Sequence, residues 1–144
     1  MRYWDSSALL PLIVLERTSA AIQGLLTADR DVLTWWASRI EAASALSRLG
    51  REGALNGGTL EAAFSRLDAL ARTWDEVLPT EPVREQAIRL LRVHPLRAAD
   101  ALQLAAALVG SEHQPRTLAL VTLDERLRQA ALREGFAVVP EPHP

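Results

Sequence analysis

Four carboxylates carry the chemistry this chain can do: Asp5, Glu41, Asp100 and Asp124. Asp5 closes a short apolar run at the start of the chain, and Asp124 follows directly on a second run ending at Thr122. Asp100 lies in Ala99-Asp100-Ala101-Leu102-Gln103-Leu104-Ala105, an otherwise apolar segment, where a carboxylate is costly unless a cation or donor meets it. Each acid has a structural explanation. Asp5 would cap a helix opening at Ser6. Ser38-x-x-Glu41 and Thr122-x-x-Glu125 match capping boxes, which puts Glu41 and Asp124 in favourable first turns. Arg97, one turn ahead of Asp100, is a cation that could pair with it. The chemical explanation is a joint one. Several carboxylates in one pocket raise one another's pKa unless a divalent cation sits among them. Oxygen ligands completed by water suit Mg²⁺ or Mn²⁺ rather than zinc.

The elements that must position these acids are short. Apolar runs predict strands over 2–5, 31–35, 76–78, 117–122 and 136–139. Helical spacing of apolar residues predicts helices over 6–15, 19–28, from Ser38 to Gly50 or Gly53, from Thr59 past Ala71, over 80–93, 97–109 and 123–133. Gly135 is the C-cap candidate of the last helix. Strands alternating with helices imply an α/β fold: a parallel central sheet of four to five short strands flanked by helices in three layers. Residues 1–139 form one domain, and 140–144 are expected to be a disordered tail. In a parallel sheet the helix starts that follow strands share one edge, so the four acids can converge there.

Composition removes competing chemistries. All 16 cationic side chains are Arg, and there is neither Lys nor Cys in 144 residues. That excludes a Walker-A clamp, a Schiff-base amine, a thiol nucleophile, a disulfide framework and Cys-bound zinc. A net charge of -2 argues against a protein that coats polyanions by bulk charge, and leaves room for a local Arg patch. No signal-peptide pattern opens the chain, and no apolar run approaches the roughly 20 residues of a membrane span. A cytoplasmic protein with no membrane contact is expected. His94 and His143 have the character of incidental residues, and His113 lies in a loop. Trp35 and Trp36, beside Glu41, read as core or as base-stacking residues.

Four blocks carry a family resemblance. Trp4-Asp5-Ser6-Ser7-Ala8-Leu9 resembles the opening of PIN-domain proteins. Ser38-Arg39-Ile40-Glu41-Ala42-Ala43-Ser44-Ala45-Leu46 is similar to their Glu-bearing helix, and the Asp100 segment to their Ala-Asp-Ala-Leu signature. Val121-Thr122-Leu123-Asp124-Glu125-Arg126-Leu127 resembles their last acidic block. The blocks occur in family order over essentially the whole chain, which in length resembles the VapC toxins of toxin–antitoxin pairs. Trp4 and Gln103 depart from the family pattern without touching the acidic set.

The resemblance implies a PIN-like fold and a metal-dependent endoribonuclease acting as a toxin. Asp5, Glu41, Asp100 and Asp124 would be catalytic, with Asp5, Asp100 and Asp124 on Mg²⁺ or Mn²⁺. Ser6 and Thr122 would be hydroxyls that orient carboxylates or water. It implies an RNA substrate of the tRNA or rRNA class, a cognate antitoxin and a homodimer. Arg48 and Arg97 are candidates for contacts to RNA or antitoxin. A catalytically silent PIN-fold binding module is the alternative. A receiver or haloacid-dehalogenase phosphatase also uses a strand-end Asp, but both need a Lys this chain lacks.

Overall fold

The computed structural model describes residues 1–142. Five strands, β1 (Arg2–Trp4), β2 (Val32–Trp35), β3 (Asp75–Val77), β4 (Leu120–Val121) and β5 (Val138–Val139), pair in parallel in the order β3-β2-β1-β4-β5. Among the described residues seven α-helices connect and cover them: α1 (Ser6–Leu9), α2 (Ser19–Ala28), α3 (Ser38–Arg51), α4 (Gly57–Ala71), α5 (Glu81–Val93), α6 (Ala98–Gly110) and α7 (Glu125–Arg133). This is the expected α/β architecture.

Successive strand side chains point to opposite faces, and two cores follow from that alternation. Tyr3, Leu33, Trp35, Val77 and Leu120 pack on one face with α5, α6 and α7. Trp4, Val32 and Val121 pack on the other, with α1 to α4. Burial of both faces explains why the inner strands read as largely apolar runs rather than as alternating ones, whereas the edge strand β3 opens on Asp75 and Glu76. Trp4, the bulky departure from the family pattern, is fully buried and fills the second core.

The elements differ from the sequence expectation at their ends. The first helix stops at Leu9 and a 3₁₀ turn covers Leu10–Leu12. Pro11 has no N–H for the helical ladder, and the chain tightens so that Ile13 N–H reaches the Leu10 carbonyl at 2.9 Å. α4 begins at Gly57 because Asn56, not Thr59, is the cap; Thr59 closes the box from the third position, its N–H 3.1 Å from Asn56 Oδ1. The run expected as strand over 117–122 contributes only Leu120–Val121, since Pro115–Thr117 form a 3₁₀ turn. Of the tail expected over 140–144, His143 and Pro144 lie outside the described residues.

Candidate active site

Asp5 follows β1 and caps α1, Asp124 follows β4 and caps α7, and Glu41 stands in the first turn of α3 after β2. Parallel pairing brings these three ends to one sheet edge. Asp100 arrives from elsewhere, in the first turn of α6, which follows α5 across a corner at His94-Pro95. All four acids line one cleft of about 480 Å³, with Ser6, Ser7, Glu16, Arg48 and Gln103.

Asp5 is buried, and its two oxygens are treated differently. Oδ2 accepts from Ser7 Oγ at 2.5 Å, Thr122 Oγ1 at 2.9 Å and the Ser7 N–H at 3.3 Å. Oδ1 has only Ser6 Oγ, at 3.5 Å. Ser7 and Thr122 have one proton each and spend it on Asp5. Their lone pairs accept the backbone N–H groups of Leu123 and Asp124, at 2.9 and 3.0 Å. The turn after β4 is thereby clamped to the end of β1. Burial raises the Asp5 pKa to about 6; the Ser7 and Thr122 hydrogen bonds oppose the rise, and the charge of Glu41 adds to it.

Asp124 and Asp100 repeat the division between oxygens. Asp124 Oδ1 accepts the Leu127 N–H at 2.8 Å, and Asp100 Oδ2 accepts the Arg97 N–H at 3.2 Å. Among the described residues the second oxygen of each has no donor. The structural and chemical explanations are therefore not rivals: one oxygen serves the helix end and the other is left for the cleft. Glu41 is held at both oxygens. Ser6 Oγ donates to Oε2 at 2.6 Å, and Gln103 Nε2 lies 3.4 Å from Oε1 and 3.3 Å from Oε2.

Several expected partnerships are replaced. The capping boxes at Ser38 and Thr122 do not form. Ala37 is the N-cap of α3, and Ser38 is buried against Thr34 and Gln103. Asp124 caps α7 itself, and Thr122 is drawn to Asp5 instead. Arg97 meets Asp100 through its backbone N–H, while its side chain is exposed and outside the cleft lining. Arg48 does line the cleft. Gln103 touches the acidic set, contrary to expectation, through Glu41.

The motifs assign no role to Ser7 or to the pairing of Gln103 with Tyr3, whose hydroxyl donates to Gln103 Oε1. The signal for Ser7 was present: two residues beyond an N-cap Asp, its N–H and hydroxyl both reach that carboxylate. Burial, then the charges of Asp5 and Glu41, push the Tyr3 hydroxyl well above its usual pKa. Trp35 is core, whereas Trp36 is 45% exposed. His94 is buried, its Nε2 2.7 Å from Glu134 Oε2, far from an incidental setting.

The cleft fits a hard divalent cation by its donor chemistry. Among the described residues it offers carboxylate oxygens of Asp100 and Asp124 without protein donors, and a buried Asp5 with no cationic side chain paired to it. Among the described residues, no three His, Asp or Glu side chains are gathered tightly enough to hold one ion by themselves. Mg²⁺ commonly takes one or two carboxylates and keeps water in its remaining positions.

The fold has solved counterparts. The chain is similar to a structure titled toxin-antitoxin complex from Klebsiella pneumoniae, at 16% identity over 97% of each chain with a TM-score of 0.66. It is similar to FitAcB from Neisseria gonorrhoeae, at 19% identity over 97% of each chain with a TM-score of 0.68. FitAB bound to the IR36 DNA fragment matches at 17% identity over 96% of this chain and 94% of that one, also with a TM-score of 0.68. No match was found among curated proteins. At such identities the likeness concerns the fold. Family membership rests on the sequence, which matches the PIN domain over residues 2–132, a span that includes all four acids. The chain belongs to the PIN domain family.

Proposed function

We propose that this chain is a metal-dependent endoribonuclease and the toxin of a toxin–antitoxin pair. The observation that carries the reading is the division of labour among the acids: among the described residues Asp100 and Asp124 each keep an oxygen without a protein donor, Asp5 Oδ1 has only the long 3.5 Å approach of Ser6 Oγ, and all three line the cleft that Glu41 shares. Those oxygens, completed by water, would hold Mg²⁺ or Mn²⁺. When bound, the ion supplies a water of lowered pKa and a positive charge beside the phosphate. The chain's own residues do the positioning. Ser7 and Thr122 hold Asp5 in one rotamer, and Ser6 and Gln103 hold Glu41 where its carboxylate would orient the attacking water. Among the described residues Arg48 is the one Arg in the cleft lining, and it would meet a backbone phosphate.

The partners follow from the same reading: an RNA of the tRNA or rRNA class, a cognate antitoxin, a second copy of the chain, and a cytoplasmic setting. The Klebsiella counterpart, a toxin-antitoxin complex, supports the antitoxin. No helix among the described residues is long and apolar enough to cross a membrane.

A nuclease assay on single-stranded RNA tests the reading. Cleavage is expected with Mn²⁺ or Mg²⁺, and its loss with chelator and in Asp5→Asn. Undiminished cleavage under both treatments would sink the carboxylate–metal mechanism. Mn²⁺ binding without any cleavage would instead leave the silent binding module.

A further inference from the structure

We propose that Tyr3 and Gln103 are positioning residues, a buried relay that holds the Glu41 carboxylate in the cleft; this rests on the nuclease reading above. Gln103 stands on α6, three residues beyond Asp100, and is 1% exposed. A primary amide is buried only when its donors and acceptor are met. Here Oε1 accepts the Tyr3 hydroxyl, and Nε2 lies 3.0 Å from Ser38 Oγ and 3.3 Å from Glu41 Oε2.

The amide has two orientations related by a half-turn, and its neighbours select one. Turned the other way, Oε1 would face the Glu41 carboxylate, and the Tyr3 proton would point at an NH₂ group. Ser38 favours the same orientation. Thr34 Oγ1 lies 2.6 Å from the Trp4 carbonyl and 2.7 Å from Ser38 Oγ. A carbonyl can only accept, so it takes the single Thr34 proton. Ser38 must then donate to Thr34, which leaves its lone pair for Gln103.

Tyr3 on β1 and Ser38 at the start of α3 thus fix an amide on α6 whose remaining N–H is aimed at Glu41. Ser6 completes the grip from the cleft side at 2.6 Å. Glu41 would otherwise be a flexible carboxylate at a helix start. The relay ties it to the centre of the sheet.

The test combines kinetics with a measurement that needs no activity. Gln103→Met keeps the volume and removes both donors. With single-stranded RNA and Mn²⁺ it should lower kcat by about ten- to a hundredfold and leave KM within about twofold, as loss of an orienting partner does. Tyr3→Phe should lower kcat in the parent and change nothing further in Gln103→Met, because the two act through one contact. Unchanged kcat in Gln103→Met, or additive losses, overturns the relay. Separately, in ¹H–¹⁵N spectra of the ion-free protein, the Gln103 side-chain NH₂ should exchange slowly. It should shift in Glu41→Gln and lose its protection in Tyr3→Phe. An NH₂ signal indifferent to both substitutions overturns the relay too. If the parent cleaves no RNA while the spectra behave as stated, the nuclease reading fails and the relay stands.

Discussion

Thr122 donates its hydroxyl proton to Asp5 Oδ2 across 2.9 Å, although 117 residues separate the two. The contact exists because β1 and β4 are neighbours in the sheet, with Trp4 registered against Val121. It occupies one oxygen of a buried carboxylate, and Ser7 donates to the same oxygen, its Oγ 3.2 Å from Thr122 Oγ1. Oδ1 is left with only the 3.5 Å approach of Ser6 Oγ.

Removing that hydroxyl should therefore disturb Asp5, and with it the Asp124 N–H that the same oxygen accepts. Thr122→Val keeps the shape and deletes the proton, and the buried carboxylate loses a bond worth about 1–3 kcal/mol. RNA cleavage should fall by about ten- to a hundredfold while Thr122→Ser stays near the parent. Equal activity in the Val and Ser variants would show that the hydroxyl does not matter.

The pH dependence of stability follows from the same residue. In the ion-free protein Asp5 titrates at about 6, against 3.8 as its ordinary value. The folded state therefore binds this proton more tightly than the unfolded chain. The stabilisation is fully present below pH 3.8 and is lost as pH rises through about 6. Asp5→Asn removes the penalty of the buried charge. It should be more stable than the parent by about 1–3 kcal/mol at around pH 8 and no more stable at about pH 3.5, in urea denaturation. Mn²⁺ should raise the parent's melting temperature at neutral pH and leave Asp5→Asn nearly unmoved. A variant with no pH-dependent advantage would mean that Asp5 is not strained by its burial.

The two expected Arg contacts separate by position. Arg48 lines the cleft, and Arg97 offers it only a backbone N–H already given to Asp100. Arg48→Ala should weaken RNA binding several-fold and reduce the salt slope of binding by about one, as loss of a phosphate contact does. Arg97→Ala should bind as the parent does. Fluorescence anisotropy across a salt series distinguishes them, and an equal effect of both substitutions contradicts the cleft assignment.

Gly135 ends α7 with φ near 100°, and Phe136 N–H reaches back to the Ala131 carbonyl at 3.0 Å. A Cβ there would be strained and would sit 3.2 Å from Pro115. Gly135→Ala should cost about 1–2 kcal/mol in thermal or urea denaturation. Activity at a temperature well below the melting transition should not change, since α7 presents Asp124 from its other end.

Much of this was legible in the residues. Helix positions, the parallel sheet and the four acids follow from apolar spacing, strand–helix alternation and the motifs around Asp5, Glu41, Asp100 and Asp124. Strand ends were less legible, because β4 is cut to Leu120–Val121 by a 3₁₀ turn that its apolar neighbours do not announce. The capping boxes failed for a related reason. Ser38 and Thr122 have the right spacing for local partners, but each finds a distant one that is better placed: Gln103 and Asp5.

The sequence alone determined which atoms are available. With no Lys and no Cys, carboxylates, hydroxyls, amides, Arg and three His are what a polar cleft can be built from, and the helix starts put the carboxylates near one edge. Tertiary structure decided which oxygens of the acids are held and by what. It also brought Asp100 in across the α5–α6 corner and set Gln103 between Tyr3 and Glu41. The reason is physical: local spacing specifies what a side chain can bond to within a turn or two. A buried donor or acceptor, however, must be satisfied by whatever the fold places beside it, and those partners here lie up to 117 residues away.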